Sequence, residues 1–254
     1  MLQIAPVSPL VSDMGAMPDA PLAGRRVVTT REAPGTLDDR LASLGATVQH
    51  LAMIATVDVA SNIDVTNAAW VVVTSPNGAR RAGPWVQSNA TKLAAVGDAT
   101  AGVLAGIAGR SVDLVPERAS AADLCAVLPA PASTDERLVV VRGELADDVV
   151  VEAARSIGWQ VDDVVVYATT LLEPATDEVA TAATADVVLL ASGSAAQAWA
   201  NAVAHAGVSS PPVIAMGPPT RDIALSLGLE VRGVANPPGV DGLIDATLQA
   251  FGRA

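Results

Sequence analysis

The sequence predicts an α/β protein built on parallel sheets. From Arg25 onward, short β-branched runs alternate with Ala/Leu-rich stretches of helical length. Ten candidate strands are too many for one modest sheet, so two sheets and two domains are expected. The order strand, Ser, helix, strand, Gly-x-x-Thr, helix, Gly, strand also occurs twice, as duplicated domains would produce.

In chain order, a strand over Arg26 to Thr30 leads to a helix over Thr36 to Leu44 and a strand over Thr47 to Leu51. The apolar strand Trp70 to Thr74 ends at Ser75-Pro76, a capping hydroxyl and a first-turn proline whose missing N–H costs nothing, and a helix over Asn77 to Ala82 follows. A strand over Lys92 to Val96 runs through Gly97 into a helix over Thr100 to Ala108, closed by Gly109. Next come a strand over Ser111 to Val115, a helix over Ala121 to Leu128, a strand over Arg137 to Val141, a helix over Asp147 to Ile157 and a strand over Gln160 to Tyr167. The pattern then restarts: strand Asp186 to Ala191, Ser192, helix Ala195 to His205, strand Pro212 to Ala215, Gly217-Pro218-Pro219, and a helix over Thr220 to Leu227 closed by Gly228. A strand over Leu229 to Val234 and a helix over Val240 to Phe251 complete it.

Composition excludes several functions. A net charge of −12 repels a phosphate backbone, and 2% aromatics leave few stacking platforms, so no nucleic-acid partner is expected. One Cys and two His build neither a closed zinc site nor a disulfide framework, and they point to a reducing compartment, hence the cytoplasm. Apolar runs such as Val187 to Leu190 fall far short of the roughly 20 residues a membrane helix needs. The first 20 residues hold no Lys or Arg and lack the cationic start of a secretory signal; residues 1–21 read as a disordered tail, with Met14 or Met17 as alternative starts. Neither a phosphate loop nor a dinucleotide fingerprint is present, so no nucleotide cofactor is expected.

The residues that draw attention all stand at strand ends. The turns at Ser75, Gly97 to Thr100, Ser192 and Gly217 to Thr220 are ordinary caps taken singly; as two matching pairs they favour an anion-binding cleft between the domains. Arg31 and Arg142 are either surface partners of the neighbouring Glu32 and Glu144 or carboxylate clamps. Tyr167, the sole tyrosine, either anchors a strand end or presents its phenol to the cleft. His50 and His205 carry no sign of a catalytic base, and Cys125 reads as a small core residue.

Together, Val-Thr-Thr-Arg31, Trp-Val-Val-Val-Thr-Ser75-Pro-Asn-Gly, Ala-Val-Gly97-Asp-Ala-Thr100-Ala, Val-Val-Arg142-Gly, Gly158-Trp-Gln-Val-Asp-Asp-Val-Val-Val-Tyr167, Ala191-Ser192-Gly-Ser194 and Met-Gly217-Pro-Pro-Thr220 resemble the uroporphyrinogen-III synthases in order and spacing, from about Leu22 to Phe251. The resemblance implies two flavodoxin-like parallel-sheet domains joined by a two-strand linker near Leu51 and Tyr167. One is discontinuous, 22–50 plus 172–252, and the other spans 54–164. It implies a monomer that needs no cofactor and no metal. The activity is cyclisation of hydroxymethylbilane to uroporphyrinogen III, with loss of water and inversion of the last pyrrole ring. Catalysis would be mainly orientation, for which effective molarities can represent roughly 7 to 11 kcal/mol.

By motif position, Tyr167 matches the tyrosine that assists hydroxyl departure and Thr220 the threonine of the second Gly-x-x-Thr turn. Arg31, Ser75, Thr100, Arg142, Ser192, Ser194 and Gly217 fall on substrate-binding positions. Many members carry a basic residue shortly after the Arg-Gly pair, where Asp147 and Asp148 stand here. A non-catalytic tetrapyrrole-binding protein on the same scaffold is the alternative.

Overall fold

The structure is a computed structural model that describes residues 20–59, 62–87 and 91–252. Most of the expected N-terminal tail, residues 1–19, lies outside these. The described residues fall into two compact units, those up to Met53 together with those from Glu173 onward, and those between Ile54 and Leu172.

The second unit holds β3 (Ile54–Asp58), β4 (Ala68–Val73), α2 (Pro76–Val86), β5 (Lys92–Ala95), α3 (Asp98–Ala108), α4 (Ala121–Val127), β6 (Arg137–Gly143), α5 (Val149–Ser156) and β7 (Gln160–Leu171). Its sheet runs β3-β7-β6-β4-β5, parallel except for the antiparallel edge pair β3 and β7. Val71, Val73, Val139 and Val141 pack on one face against Ala79, Ala82, Val86 and Leu104 of α2 and α3. Trp70, Val72, Leu138 and Val140 pack on the other against Leu124, Val150, Val151 and Ala154 of α4 and α5. Both faces are covered, so these strands read as near-continuous β-branched runs instead of alternating ones.

The first unit holds β1 (Arg26–Thr29), α1 (Thr36–Ser43), β2 (Thr47–His50), α6 (Thr176–Ala182), β8 (Val187–Leu190), α7 (Gly193–Ala206), β9 (Val213–Ala215), α8 (Pro218–Ser226), β10 (Val231–Val234) and α9 (Val240–Phe251). Its sheet, β10-β9-β8-β1-β2, is parallel throughout. Val27, Val187, Leu189 and Ile214 pack with Leu37 and Leu41 of α1 and Leu243 and Ile244 of α9.

The two sheets share one order. β4, flanked by β5 and β6, matches β8, flanked by β9 and β1, and β7 matches β2. Because β1 and β2 precede β8 in sequence, the first unit is a circularly permuted version of the second, which is why it is discontinuous.

Two expectations on secondary structure need correction. Ser111 to Val115 is not a strand: only an isolated bridge, Ala94 to Leu114, forms at the place β10 occupies in the other unit. Asp113 diverts this segment, its carboxylate taking the Leu93 N–H at 2.8 Å, and Pro116 stops it. The strand beginning at Gln160 continues beyond Tyr167 to Leu171, because residues 167–171 pair with β3, an edge strand absent from the sequence reading.

Candidate functional site

A parallel sheet with crossover helices leaves every strand-to-helix turn on its carboxyl edge, and ligands bind where neighbouring strands send their chains in opposite directions. In the second unit that point lies between β4 and β6, and in the first between β8 and β1. The turns that follow β5 and β4 lead to Thr100 and Ser75, and β6 itself ends in Arg142 and Gly143; the turns that follow β9, β8 and β1 lead to Thr220, Ser192 and Arg31. Position for position, Thr100 matches Thr220 and Ser75 matches Ser192, one member of each pair on each sheet.

Ser75 caps α2 from an extended backbone, its oxygen accepting the Gly78 N–H at 3.0 Å. Ser192 caps α7 in the same way, accepting from Ala195 at 3.1 Å. The matching Thr100 and Thr220 sit in the first turns of α3 and α8, 2% and 6% exposed. Neither hydroxyl has a partner among the described residues, and no unpaired side-chain oxygen there is sealed from solvent. Both hydroxyls therefore keep slight solvent access although the residues themselves are nearly buried.

The helix starts differ as anion sites. Behind Ser192, Gly193 and Ser194 offer N–H groups that the helix leaves unpaired. Behind Gly217 stand Pro218 and Pro219, which have none, so α8 presents little more than Thr220. A Cβ at Gly97 would meet Ala119 Cβ at 2.4 Å, whereas at Gly217 it would make ordinary contact with Pro238, so only the first demands glycine by space.

Tyr167 lies on β7, opposite Asp58 of β3 and beside Gly143 of β6. Its ring passes over Gly143, and its hydroxyl reaches Ser75, 3.0 Å between oxygens, from two strands away. A Cβ on Gly143 would sit 2.4 Å from Tyr167 Cζ, so a side chain there and this ring placement exclude each other. The Arg81 guanidinium carbon lies 5.0 Å from the ring centroid. Gly143 and Arg81 are additions to the residues chosen from sequence; a glycine ending an apolar strand was the available signal for the first.

The two arginines have different surroundings. Arg31 is exposed and its side chain makes no ion pair or hydrogen bond among the described residues. Arg142 donates to both Asp163 oxygens, from Nε at 2.7 Å and Nη2 at 2.8 Å, and from Nη1 to the Ala146 carbonyl at 2.6 Å. Asp148 Oδ1 lies 2.9 Å from Nη2. Neither arginine is paired with its neighbouring Glu. The hydrogen-bonded fork to Arg142 holds the Asp163 carboxyl below the usual range, and the same fork pushes Arg142 up. Arg142 thus fastens the loop after Gly143, and Asp148 belongs to that fastening.

Cys125, expected in the core, is half-buried at the edge of the cluster around Leu124, and its thiol is pushed up by burial and then by Asp147. Among the described residues no three His, Cys, Asp or Glu side chains group around a possible metal position, and no helix is long and apolar enough to cross a membrane.

A family model described as uroporphyrinogen-III synthase HemD matches residues 35–245. Among solved structures, the chain is similar to uroporphyrinogen-III synthetase from Helicobacter pylori, at 14% identity and a TM-score of 0.63 over 89% of this chain and 99% of that one. It is also similar to a mutant uroporphyrinogen III synthase from the extremely thermophilic bacterium Thermus thermophilus, at 14% identity and a TM-score of 0.54 over 91% of this chain and all of that one. These likenesses establish the mixed α/β fold with two parallel-dominated sheets.

Proposed function

The chain belongs to the uroporphyrinogen-III synthase family, the cyclising lyases that convert hydroxymethylbilane to uroporphyrinogen III, and we propose that here the reaction runs on Tyr167 held by Ser75. The observation that carries this reading is the 3.0 Å contact between their hydroxyls.

Ser75 already accepts the Gly78 N–H, so its own hydrogen is available to the phenol oxygen. Tyr167 then has its proton to give to the terminal hydroxyl of the substrate, which leaves as water. The carbon left behind is an electrophilic azafulvene. Free in water it closes on the unsubstituted end of the chain; in the enzyme it is attacked by the substituted carbon of the last ring, giving the spiro intermediate, whose older bond from that carbon to its methylene bridge then breaks so that the freed methylene closes on the unsubstituted carbon and the ring is inverted. The hydrogen lost from the free pyrrole carbon at final closure balances the proton spent on the hydroxyl. As the phenol gives up its proton, the positive end of α2, whose cap Ser75 it touches, favours the electron-rich oxygen.

Thr220, matched to Thr100, is the second hydroxyl in this reading and orients the substrate. Arg31, Ser192 and Ser194 take acetate and propionate groups, two of which the substrate carries on every pyrrole, while Gly217, followed by two prolines without N–H, contributes by leading into Thr220. The slightly solvent-accessible hydroxyls of both threonines, the unpaired N–H groups after Ser192 and the uncommitted Arg31 guanidinium support this assignment. Arg142 is given a holding task in place of a clamping one, because Asp163 and Asp148 occupy it.

The finer architecture in this reading is two flavodoxin-like domains joined by a two-strand linker near Leu51 and Tyr167. The protein works as a cytoplasmic monomer. The test is product analysis: purified protein added to freshly made hydroxymethylbilane, with no metal or cofactor, shifts the product from isomer I to isomer III. Isomer I alone overturns the proposal.

A further inference from the structure

Arg81 belongs to α2 but its guanidinium is engaged by β3. Nε donates to Asp58 Oδ1 at 2.6 Å, Nη2 to Thr56 Oγ1 at 3.3 Å and Nη1 to the Asn77 carbonyl at 3.2 Å. The antiparallel register sets Asp58 directly opposite Tyr167, and residues so paired project from the same face of the sheet. Asp58 and Thr56 alternate along β3 and share that face. The acid therefore holds the guanidinium where it meets the Tyr167 ring, 5.0 Å from its centroid. Three elements converge on one side chain: β3 through Arg81, β6 through the bare Gly143 backbone, and the α2 cap through Ser75.

We propose that Arg81 is a positioning residue for the reaction, held by Asp58 against the Tyr167 ring so that the phenol stays seated over Gly143 with its hydroxyl on Ser75. This rests on the reading of Tyr167 as proton donor. A helix arginine that merely neutralises a surface acid would contribute to stability and leave the ring alone. Arg81 instead supplies part of the wall that the ring needs, because Gly143 makes room for the phenol without fixing it there.

Tyr167 is the only tyrosine of the chain, so 3-fluorotyrosine incorporated into the full-length protein yields a fluorine signal from this ring alone. In the parent that resonance is expected well away from its position in urea-unfolded protein. Arg81→Met and, independently, Asp58→Asn move it toward the unfolded position, and Arg81→Lys moves it less. Arg81→Met lowers kcat by about tenfold, as expected when a reacting group loses its orientation. KM changes by less than about twofold, because ground-state binding is untouched. In a Tyr167→Phe background Arg81→Met lowers kcat no further.

An unmoved resonance in both Arg81→Met and Asp58→Asn overturns the inference, and so does a moved resonance with full turnover. Should Tyr167→Phe itself match the parent in rate, the donor reading fails, while the resonance still decides whether Arg81 places the ring.

Discussion

The Tyr167 and Ser75 hydroxyls meet at 3.0 Å although their strands, β7 and β4, are separated by β6. The ring bridges that gap because β6 ends in Gly143. A cap that any helix start can use is thereby joined to the chain's single phenol, and in the proposed reaction a local structural device becomes part of the reacting group.

Gly143→Ala tests the bridge. Its backbone is outside the left-handed region, so the substitution acts through the clash of the new methyl with the ring, 2.4 Å from Cζ. Overpacking of this kind costs about 1–3 kcal/mol, and kcat falls with it. In a Tyr167→Ala background the same change has a much smaller effect on stability. Urea unfolding of the four proteins checks this.

Ser75→Ala and Ser192→Ala remove equivalent caps, and each is expected to cost about 1 kcal/mol of stability. Their kinetics diverge. Ser75→Ala lowers kcat because the phenol loses its partner; Ser192→Ala raises KM because α7 loses the shape of its N-terminal turn. Steady-state kinetics on both variants separates the two roles.

Arg31→Met is expected to raise KM about tenfold with little change in kcat, the loss of one charged hydrogen-bonding partner of a carboxylate. Added salt raises the parent's KM, and the variant responds less steeply. Unchanged KM would remove Arg31 from the substrate grip.

The pair Asp163 and Arg142 makes stability depend on pH. Asp163 binds its proton less readily folded than unfolded, so its contribution is present above the ordinary carboxylate range. It is lost as pH falls through the lowered folded value. Asp163→Asn is therefore less stable than the parent at pH 7, and the gap in Tm closes as pH drops below about 4. A gap that is constant with pH contradicts the pairing.

Much of this was legible in the residues and some was not. Strands β4, β6 and β8 are buried on both faces, so β-branched runs announced them, and Ser75 and Ser192 stood at helix starts that their caps identified. Strand β3 and helix α6 escaped: β3 is a short edge strand that pairs only with β7, and α6 is a seven-residue helix. Ser111 to Val115 had strand-like residues, yet Asp113 and Pro116 redirected its backbone. The partner of Arg142 is no chain neighbour: the register of β6 and β7 brings in Asp163 from 21 residues away. The Tyr167 contacts with Gly143 and Arg81 depend on pairings across the sheet that local pattern does not encode.

The most direct test of the central claim is the rate of uroporphyrinogen III formation by Tyr167→Phe at saturating hydroxymethylbilane, alongside the parent and with folding checked by thermal unfolding. Loss of a positioned proton donor predicts a fall of about a hundredfold or more with the fold intact. A variant that forms isomer III as fast as the parent would contradict it.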